Sequence, residues 1–237
     1  MRIRGKLLAG GVTVLALAGA AGCTGGNDQA ASTQELTPAQ RLAAAKSRLD
    51  AAPSVHLKLT SAEVPAGASG VVSADGWGKH PPAFKGTFKV SLKGVQADAE
   101  VTSVDGGVWA KLPLVPGINK IDPKAFGIPD PAVLFSPDKG LTNLLTATTA
   151  PALGGQTRKG SEVLTSVTGK VPGSAVVDLF LIGDRNGTFD ATYSLTDKQE
   201  LREVTLAGPF FGTGSKSYYI LVLDQYGQPV TITQPVG

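Results

Sequence analysis

Residues 83–101 read AFKGTFKVSLKGVQADAEV, and the period of that stretch decides the fold class. Phe84, Gly86, Phe88, Val90 and Leu92 alternate with Lys85, Thr87, Lys89, Ser91 and Lys93. Val95, Ala97, Ala99 and Val101 then alternate with Gln96, Asp98 and Glu100. A period of two, with one apolar and one polar side, marks antiparallel strands that have one wet face and one covered face. VHLKLT at 55–60 repeats the pattern, and GVVSADGW (70–77), GVWAKL (107–112), SEVLTSVTGKV (161–171), TFDATYSL (188–195), LREVTLA (201–207), SYYILVLD (217–224) and PVTIT (229–233) add further strands. Asp105-Gly106-Gly107, Asn186-Gly187 and Tyr226-Gly227 are turn signals, and the second is expected to be a hairpin turn rather than a glycosylation site.

Helices are few. Thr37-Pro38 is an N-cap followed by proline at the first helical position, and AQRLAAAKSRLDAA (39–52) continues with strong helix formers. Asp130-Pro131-Ala132 opens a short apolar segment with Val133, Leu134 and Phe135. Ser136-Pro137-Asp138 restarts a helix with Leu141, Leu144 and Leu145 on one face. AVVDLFLI (175–182) reads equally as a helix or a strand. Long antiparallel sheet with a few helices on one face is the α+β class.

The amino terminus carries a different message. Arg2, Arg4 and Lys6 precede an apolar run from Leu7 to Ala21. That run falls short of the ~20 residues a membrane span needs, and its small-residue end fits a secretory signal better than an uncleaved anchor. Cys23 is the only cysteine in 237 residues and follows Ala20, Ala21 and Gly22, a match to the bacterial lipobox apart from Ala20, where a larger aliphatic residue is usual. Residues 1–22 are therefore expected to be a lipoprotein signal peptide, with a diacylglycerol-type acyl modification on Cys23. Residues 23–37, small and polar after the cysteine, form a tether, and 38–237 a single domain. Three of the 22 basic residues lie in the signal, which leaves 19 against 19 acidic ones. A neutral mature chain argues against nucleic-acid binding and electrostatic adsorption to membranes.

The inventory for chemistry is thin. His56 lies on the polar side of its strand, and His80 precedes Pro81-Pro82 in a turn. No pair of histidines has metal-ligand spacing, and no other cofactor is expected. Ser136-Pro137-Asp138-Lys139 matches S-x-x-K without its companion motifs, and is better explained as a helix cap. No set of nucleophile, histidine and acid points to a hydrolase, so no enzymatic activity is expected. On the inner faces of the strands, Gly86, Ala97, Ala99 and Ala110 are small. Helix side chains could fill the space beside them, or the space could take a guest. Pattern alone leaves both open.

The strand pair GTFKVSLKG…DAEVTSVDGGVWAKL, the stretch DPAVLFSPDKGLTNLLTAT and the closing YILVLDQYGQPVTITQPV resemble the LppX/LprAFG lipoproteins of mycobacteria and related actinobacteria, in particular their LprG-like members. The most specific element comprises Asp130, Pro131, Ala132, Pro137, Asp138, Gly140, Leu141, Asn143 and Leu145. The resemblance implies a strongly curved antiparallel β half-barrel with helices packed on its concave face, enclosing an apolar cavity. It implies Leu57, Leu59, Phe84, Phe88, Val90, Leu92, Ala97, Ala99, Val101, Val108, Leu134, Leu141, Leu144, Leu145, Tyr193 and Leu195 as cavity lining. Acyl chains would lie against the Phe84–Leu92 and Val95–Val101 strands and the helices from Leu134 to Leu145. The implied partners are acylated lipids, triacylated glycolipids, lipoglycans or triacylglycerol, and a major-facilitator-type transporter. The protein would be a monomer, exported and held by its lipid anchor at the outer face of the cell membrane, and would carry lipid across the envelope. The rival from another class is a non-enzymatic scaffold for an envelope lipid transporter, with no cargo of its own.

Overall fold

The computed structural model describes residues 35–236. The expected signal peptide, Cys23 and most of the expected tether lie outside the described residues.

Eleven strands form one antiparallel sheet: β1 (Ser54–Ala62), β2 (Gly70–Lys79), β3 (Ala83–Leu92), β4 (Val95–Val104), β5 (Gly107–Lys111), β6 (Asn119–Ile121), β7 (Thr149–Lys159), β8 (Glu162–Pro172), β9 (Thr188–Leu195), β10 (Leu201–Gly208) and β11 (Ser217–Asp224). The order is β6-β5-β4-β3-β2-β1-β11-β10-β9-β8-β7, so two meanders are joined by pairing of the first strand with the last. The sheet is open and curved, and helices sit on its inner face. The α+β half-barrel expected from sequence is the fold observed.

That strand order has a consequence for the inner face. β6 and β7 occupy opposite edges, so residues 122–148 must run from one side of the sheet to the other. They do so as two 3₁₀ turns, Pro123–Phe126 and Pro131–Phe135, and the helix α2 (Thr142–Ala147). α1 (Pro38–Ala51) starts on a complete capping box, in which Thr37 and Gln40 exchange side-chain bonds with each other's backbone N–H. It buries Leu42, Ala45 and Leu49, one helical stripe, and packs on α2 and the β7 edge. The ambiguous 175–182 stretch is helical: α3 (Gly173–Phe180) ends where Leu181 turns to a φ of 58°.

Four expectations fail locally, each for a physical reason. No strand was expected at 149–159, but β7 is there. It is an edge strand, almost wholly exposed and interrupted by two register shifts, so no apolar alternation betrays it. PVTIT (229–233) forms no strand. Its alternation exists because Val230 and Ile232 pack onto the outer face with Ala83, Val104 and Trp109, not because its backbone joins a ladder. Ser136 does not start a helix. It closes the preceding 3₁₀ turn and an isolated turn follows, in which Gly140 N–H bonds the Ser136 carbonyl at 2.7 Å. Asn186-Gly187 belongs to the turn from α3 into β9, not to a hairpin.

Packing divides the inner face. On β8–β11, Val167, Val171, Phe189, Tyr193, Leu195, Val204, Leu206 and Leu221 meet Leu144, Leu145, Val176, Leu179 and Phe180 in one buried cluster. Phe210 knits the far end, with its ring 4.7 Å from both Phe189 and Tyr219. In the middle, Phe84 and Phe135 stack 6.2 Å apart. They can lie on the sheet only because β2 and β3 present glycine beneath them: a Cβ at Gly78 would overlap the Phe135 ring, and one at Gly86 would approach Phe84 within 2.8 Å. Beyond them, over β4–β6, no described α-helix makes substantial contact with the sheet.

Candidate functional site

A cavity of about 520 Å³ occupies that unhelical half. Its floor follows from strand register. Val90 opposes Ala97, Phe88 opposes Ala99, Val101 opposes Ala110 and Val108 opposes Ile121, and all eight line the cavity. Three alanines among them keep the floor low. The roof is the irregular chain from Leu112 to Pro131, which contributes Leu112, Pro113, Leu114, Val115, Pro123, Phe126, Ile128, Pro129 and Pro131. The prolines have a physical use there. A loop laid over an apolar space would leave backbone N–H groups without partners, and proline has none to leave.

Beyond the pairing of β6 with β5, the roof is also tied down at a polar point. Ser103, fully buried on the inner face of β4, donates its hydroxyl to Asp130 Oδ1 at 2.5 Å, and the same oxygen accepts the Ala132 N–H at 2.9 Å. Asp130 thus caps the 3₁₀ turn Pro131–Phe135 and fastens it to the strand beneath. Among the described residues, the only ionisable side chain bordering the cavity is Asp98. Gln96 and Asp98 touch its edge through the outward-facing positions of β4, where Asp98 pairs with Lys89 at 3.6 Å. Binding at such a site comes from apolar burial, not from charge.

Of the residues expected as lining, Phe88, Val90, Leu92, Ala97, Ala99, Val101 and Val108 surround this cavity. Leu59 and Leu134 instead border a much smaller pocket of about 30 Å³, separated from it by Phe88, Ile128, Pro129 and Pro131. Leu57, Phe84, Leu141, Leu144, Leu145, Tyr193 and Leu195 border neither and belong to the packed core. The reason is the crossing of residues 122–148, which drops α2 onto β8 and fills that side. Tyr193 shows the difference: its hydroxyl lies 2.8 Å from Thr148 Oγ1 and bonds the Leu144 carbonyl, and burial pushes the phenol up to about 12. The wall opposite the floor is accordingly the proline-rich 112–131 stretch, not the helices from Leu134 to Leu145. Its signal was the density of Pro and aliphatic residues between β5 and Asp130, which alternation counting does not score.

The polar groups singled out in the sequence lie elsewhere. His56 is buried on the outer face, with Nδ1 2.8 Å from Asp224 and Nε2 2.8 Å from Asp75, and Trp77 beside it at 5.1 Å. Burial opposes ionisation of Asp75, but the hydrogen bonds and charges of His56 and Lys58 outweigh it and hold the carboxyl below its ordinary range. The two carboxylates bracket the ring from opposite sides. Among the described residues no group of three or more His, Cys, Asp or Glu converges on a metal position. His80 Nδ1 lies 2.7 Å from the Ala52 carbonyl, a structural contact. Ser136 Oγ accepts the Lys139 N–H at 3.3 Å. No described helix is long and apolar enough to cross a membrane.

Comparison with known proteins gives the same architecture. The Lipoarabinomannan carrier protein LprG of Mycobacterium tuberculosis is 29% identical over 184 residues, covering 77% of this chain and 75% of that one. The crystal structure of LprF from Mycobacterium bovis superimposes with a TM-score of 0.70 at 18% identity, over 84% of this chain and 97% of LprF. LppX of Mycobacterium tuberculosis follows with a TM-score of 0.61 at 18% identity, over 83% and 98%. The model of the LppX_LprAFG lipoproteins matches residues 37–232, nearly the whole described domain, and the chain belongs to that family.

Proposed function

We propose that the protein is a membrane-anchored carrier that shelters acyl chains of envelope lipids in the cavity over β3–β6. The observation that carries this is the cavity itself: about 520 Å³ walled by aliphatic and aromatic side chains. That lies inside the ~300–1,000 Å³ range of sites that bury small molecules. A methylene fills about as much space as a water molecule in the liquid, ~30 Å³, so the cavity takes roughly 17 methylenes, one long chain or two short ones. At ~0.8 kcal/mol per methylene withdrawn from water, the gross gain is on the order of 10 kcal/mol before ordering costs. The relative named as a lipoarabinomannan carrier supports an acylated lipid or lipoglycan as cargo. Triacylated glycolipid and triacylglycerol are the forms we favour, with the head group at the mouth.

The anchor belongs to the same proposal. A signal peptide over 1–22 and acylation of Cys23 would place the domain outside the cell membrane, on a short tether, where a major-facilitator-type transporter could hand lipid to it. No covalent chemistry is required of the protein. Its work is to keep acyl chains from water during passage. The test is to purify the full chain under native conditions, extract it, and weigh the non-covalently bound lipid by mass spectrometry, with uptake of a fluorescent acyl probe alongside. Acylated lipid at about one molecule per chain is expected. A preparation that carries no lipid and takes up no probe would remove the carrier function.

A further inference from the structure

The cavity opens through a rim that is itself apolar and exposed. Leu92, Val95, Leu114, Val115 and Phe126 line the cavity and also stand in water, Val95 at 71% and Leu114 at 103% of full exposure. They come from separate pieces of chain: the tip of the β3–β4 hairpin, the loop after β5, and the 3₁₀ turn at 123–126. The hairpin tip is held out by Lys93 and Gly94 at φ 52° and 86°. Leu114 stands between Pro113 and Val115 at φ 63°, a backbone region that a γ-branched residue seldom enters. A leucine held there at 103% of full exposure gains little by burial within the fold, although it borders the cavity. Strain and exposure of that kind point outward, to something the side chain meets.

We propose that this rim is a membrane-docking surface that seats the mouth of the cavity in the outer layer of a lipid bilayer. The inference rests on the carrier reading above for what passes through the mouth. Two observations choose a bilayer as the occupant. The patch encircles the opening of an apolar cavity, so a chain leaving the cavity meets water unless the rim itself is already seated in hydrocarbon. Lys93 and Lys124, next to the rim residues, have no ion-pair partner among the described residues. The nearby acids are engaged: Asp98 pairs with Lys89, Glu100 with Lys111, and the Asp122 carboxylate caps the Lys124 N–H. Aliphatic side chains with free ammonium groups at their margin match an interface of acyl chains and anionic head groups.

The full acylated chain suits a direct test, because a cysteine introduced by Leu114→Cys would be its one free thiol. An environment-sensitive fluorophore at 114 is compared with one at Lys85→Cys, on the exposed outer side of β3. Both proteins are anchored in phosphatidylcholine vesicles, with and without phosphatidylglycerol, that contain head-group spin-labelled lipid. We expect a blue shift and quenching at 114 and neither at 85. The same result in an Ala99→Trp background, where the indole takes up part of the cavity and lowers acyl-chain affinity by roughly 200-fold, shows that the probe is in the bilayer and not beside a lipid drawn into the cavity. Lys93→Glu with Lys124→Glu, beside the rim but outside the cavity lining, should slow transfer of an acyl probe between vesicles that contain phosphatidylglycerol by about tenfold or more while uptake from detergent persists. Absence of a shift at 114, an equal shift at 85, or a shift that needs only higher protein concentration without vesicles would overturn the proposal, the last by assigning the rim to a second copy. Failed uptake from detergent by the unmodified protein would count against the cargo and leave the docking result standing.

Discussion

One substitution placed on the two halves of the sheet separates a cavity from a core. Ala99 on β4 and Ala191 on β9 are both inward-facing and buried, at 8% and 2% exposure. Ala99 looks into the cavity beside Phe88. Ala191 sits between Gly169 and Leu206 under the helices. Replacing Ala191 with Trp forces an indole into filled space, and overpacking of that kind costs ~1–3 kcal/mol or prevents folding. Ala99→Trp meets space that side chains do not fill, so the indole is accommodated and buries apolar area of its own. Its effect falls on binding. If the ring displaces ~4 methylenes of bound chain at ~0.8 kcal/mol each, affinity for a long acyl chain drops by about 3 kcal/mol, roughly 200-fold. The measurements are thermal unfolding of both variants and titration with a fluorescent fatty acid. Ala99→Trp should unfold at or above the temperature of the unmodified protein and bind the probe poorly. The reasoning is refuted if it destabilises as Ala191→Trp does, or if it folds normally and binds the probe undiminished.

Two further outcomes bear on the frame that holds the cavity. Gly78→Ala places a Cβ inside the Phe135 ring and should cost ~1–3 kcal/mol in denaturant unfolding. Adding Phe135→Leu should return part of that loss, and a neutral Gly78→Ala would mean that the ring does not lie on the sheet as described. Alkaline pH gives the second. Burial raises Tyr193 and Tyr219 to about 12, above the ordinary value of 10.0, so the folded state keeps protons that the unfolded chain releases first. Their contribution is therefore complete below pH ~10 and disappears as pH rises toward ~12, by up to about 3 kcal/mol for each tyrosine. Tyr193→Phe with Tyr219→Phe should make the fall in stability across that window shallower, the remaining slope including that of Tyr226, which burial also raises, and an unchanged slope would contradict the burial.

Alternation made β1, β3, β4, β9, β10 and β11 legible because each has one wet face and one dry face, and a chain with that environment must alternate. The same rule misjudged 229–233, since it reports one-sided burial and not ladder pairing. It passed over β7, an edge strand with little to bury. The candidate site was half legible. Small residues on the floor, Ala97, Ala99 and Ala110, could be seen in the sequence, but what lay above them could not. Leu144 and Leu145 carry the same apolar signal as Val101 and Val108, yet two are core and two are lining. The difference is set by which strand the crossing segment lands on, a long-range fact that no local period encodes.

The division of the sheet also bears on stability. Core cavities made by truncation cost about 24 cal/mol per Å³, a rate that for 520 Å³ would approach the whole stability of a domain. An open mouth lowers that cost, because its lining keeps water contact, but the half over β3–β6 still contributes little to cohesion. The filled half must hold the fold, which accounts for the dense aromatic cluster of Phe180, Phe189, Phe210 and Tyr219 on that side. On the cavity side, the five prolines between Leu112 and Pro131 do a different job: they stiffen the roof by limiting the unfolded chain, without filling the space beneath it. On the proposed function, bound acyl chains would supply the missing contacts. A ligand that binds only the folded state stabilises it by RT ln(1 + [L]/Kd), so a protein acting as the proposed carrier would be most stable when loaded and would become easier to open as its lipid leaves. The roof, fastened to β4 chiefly through Ser103 and Asp130, is the part of the molecule free to respond to that change.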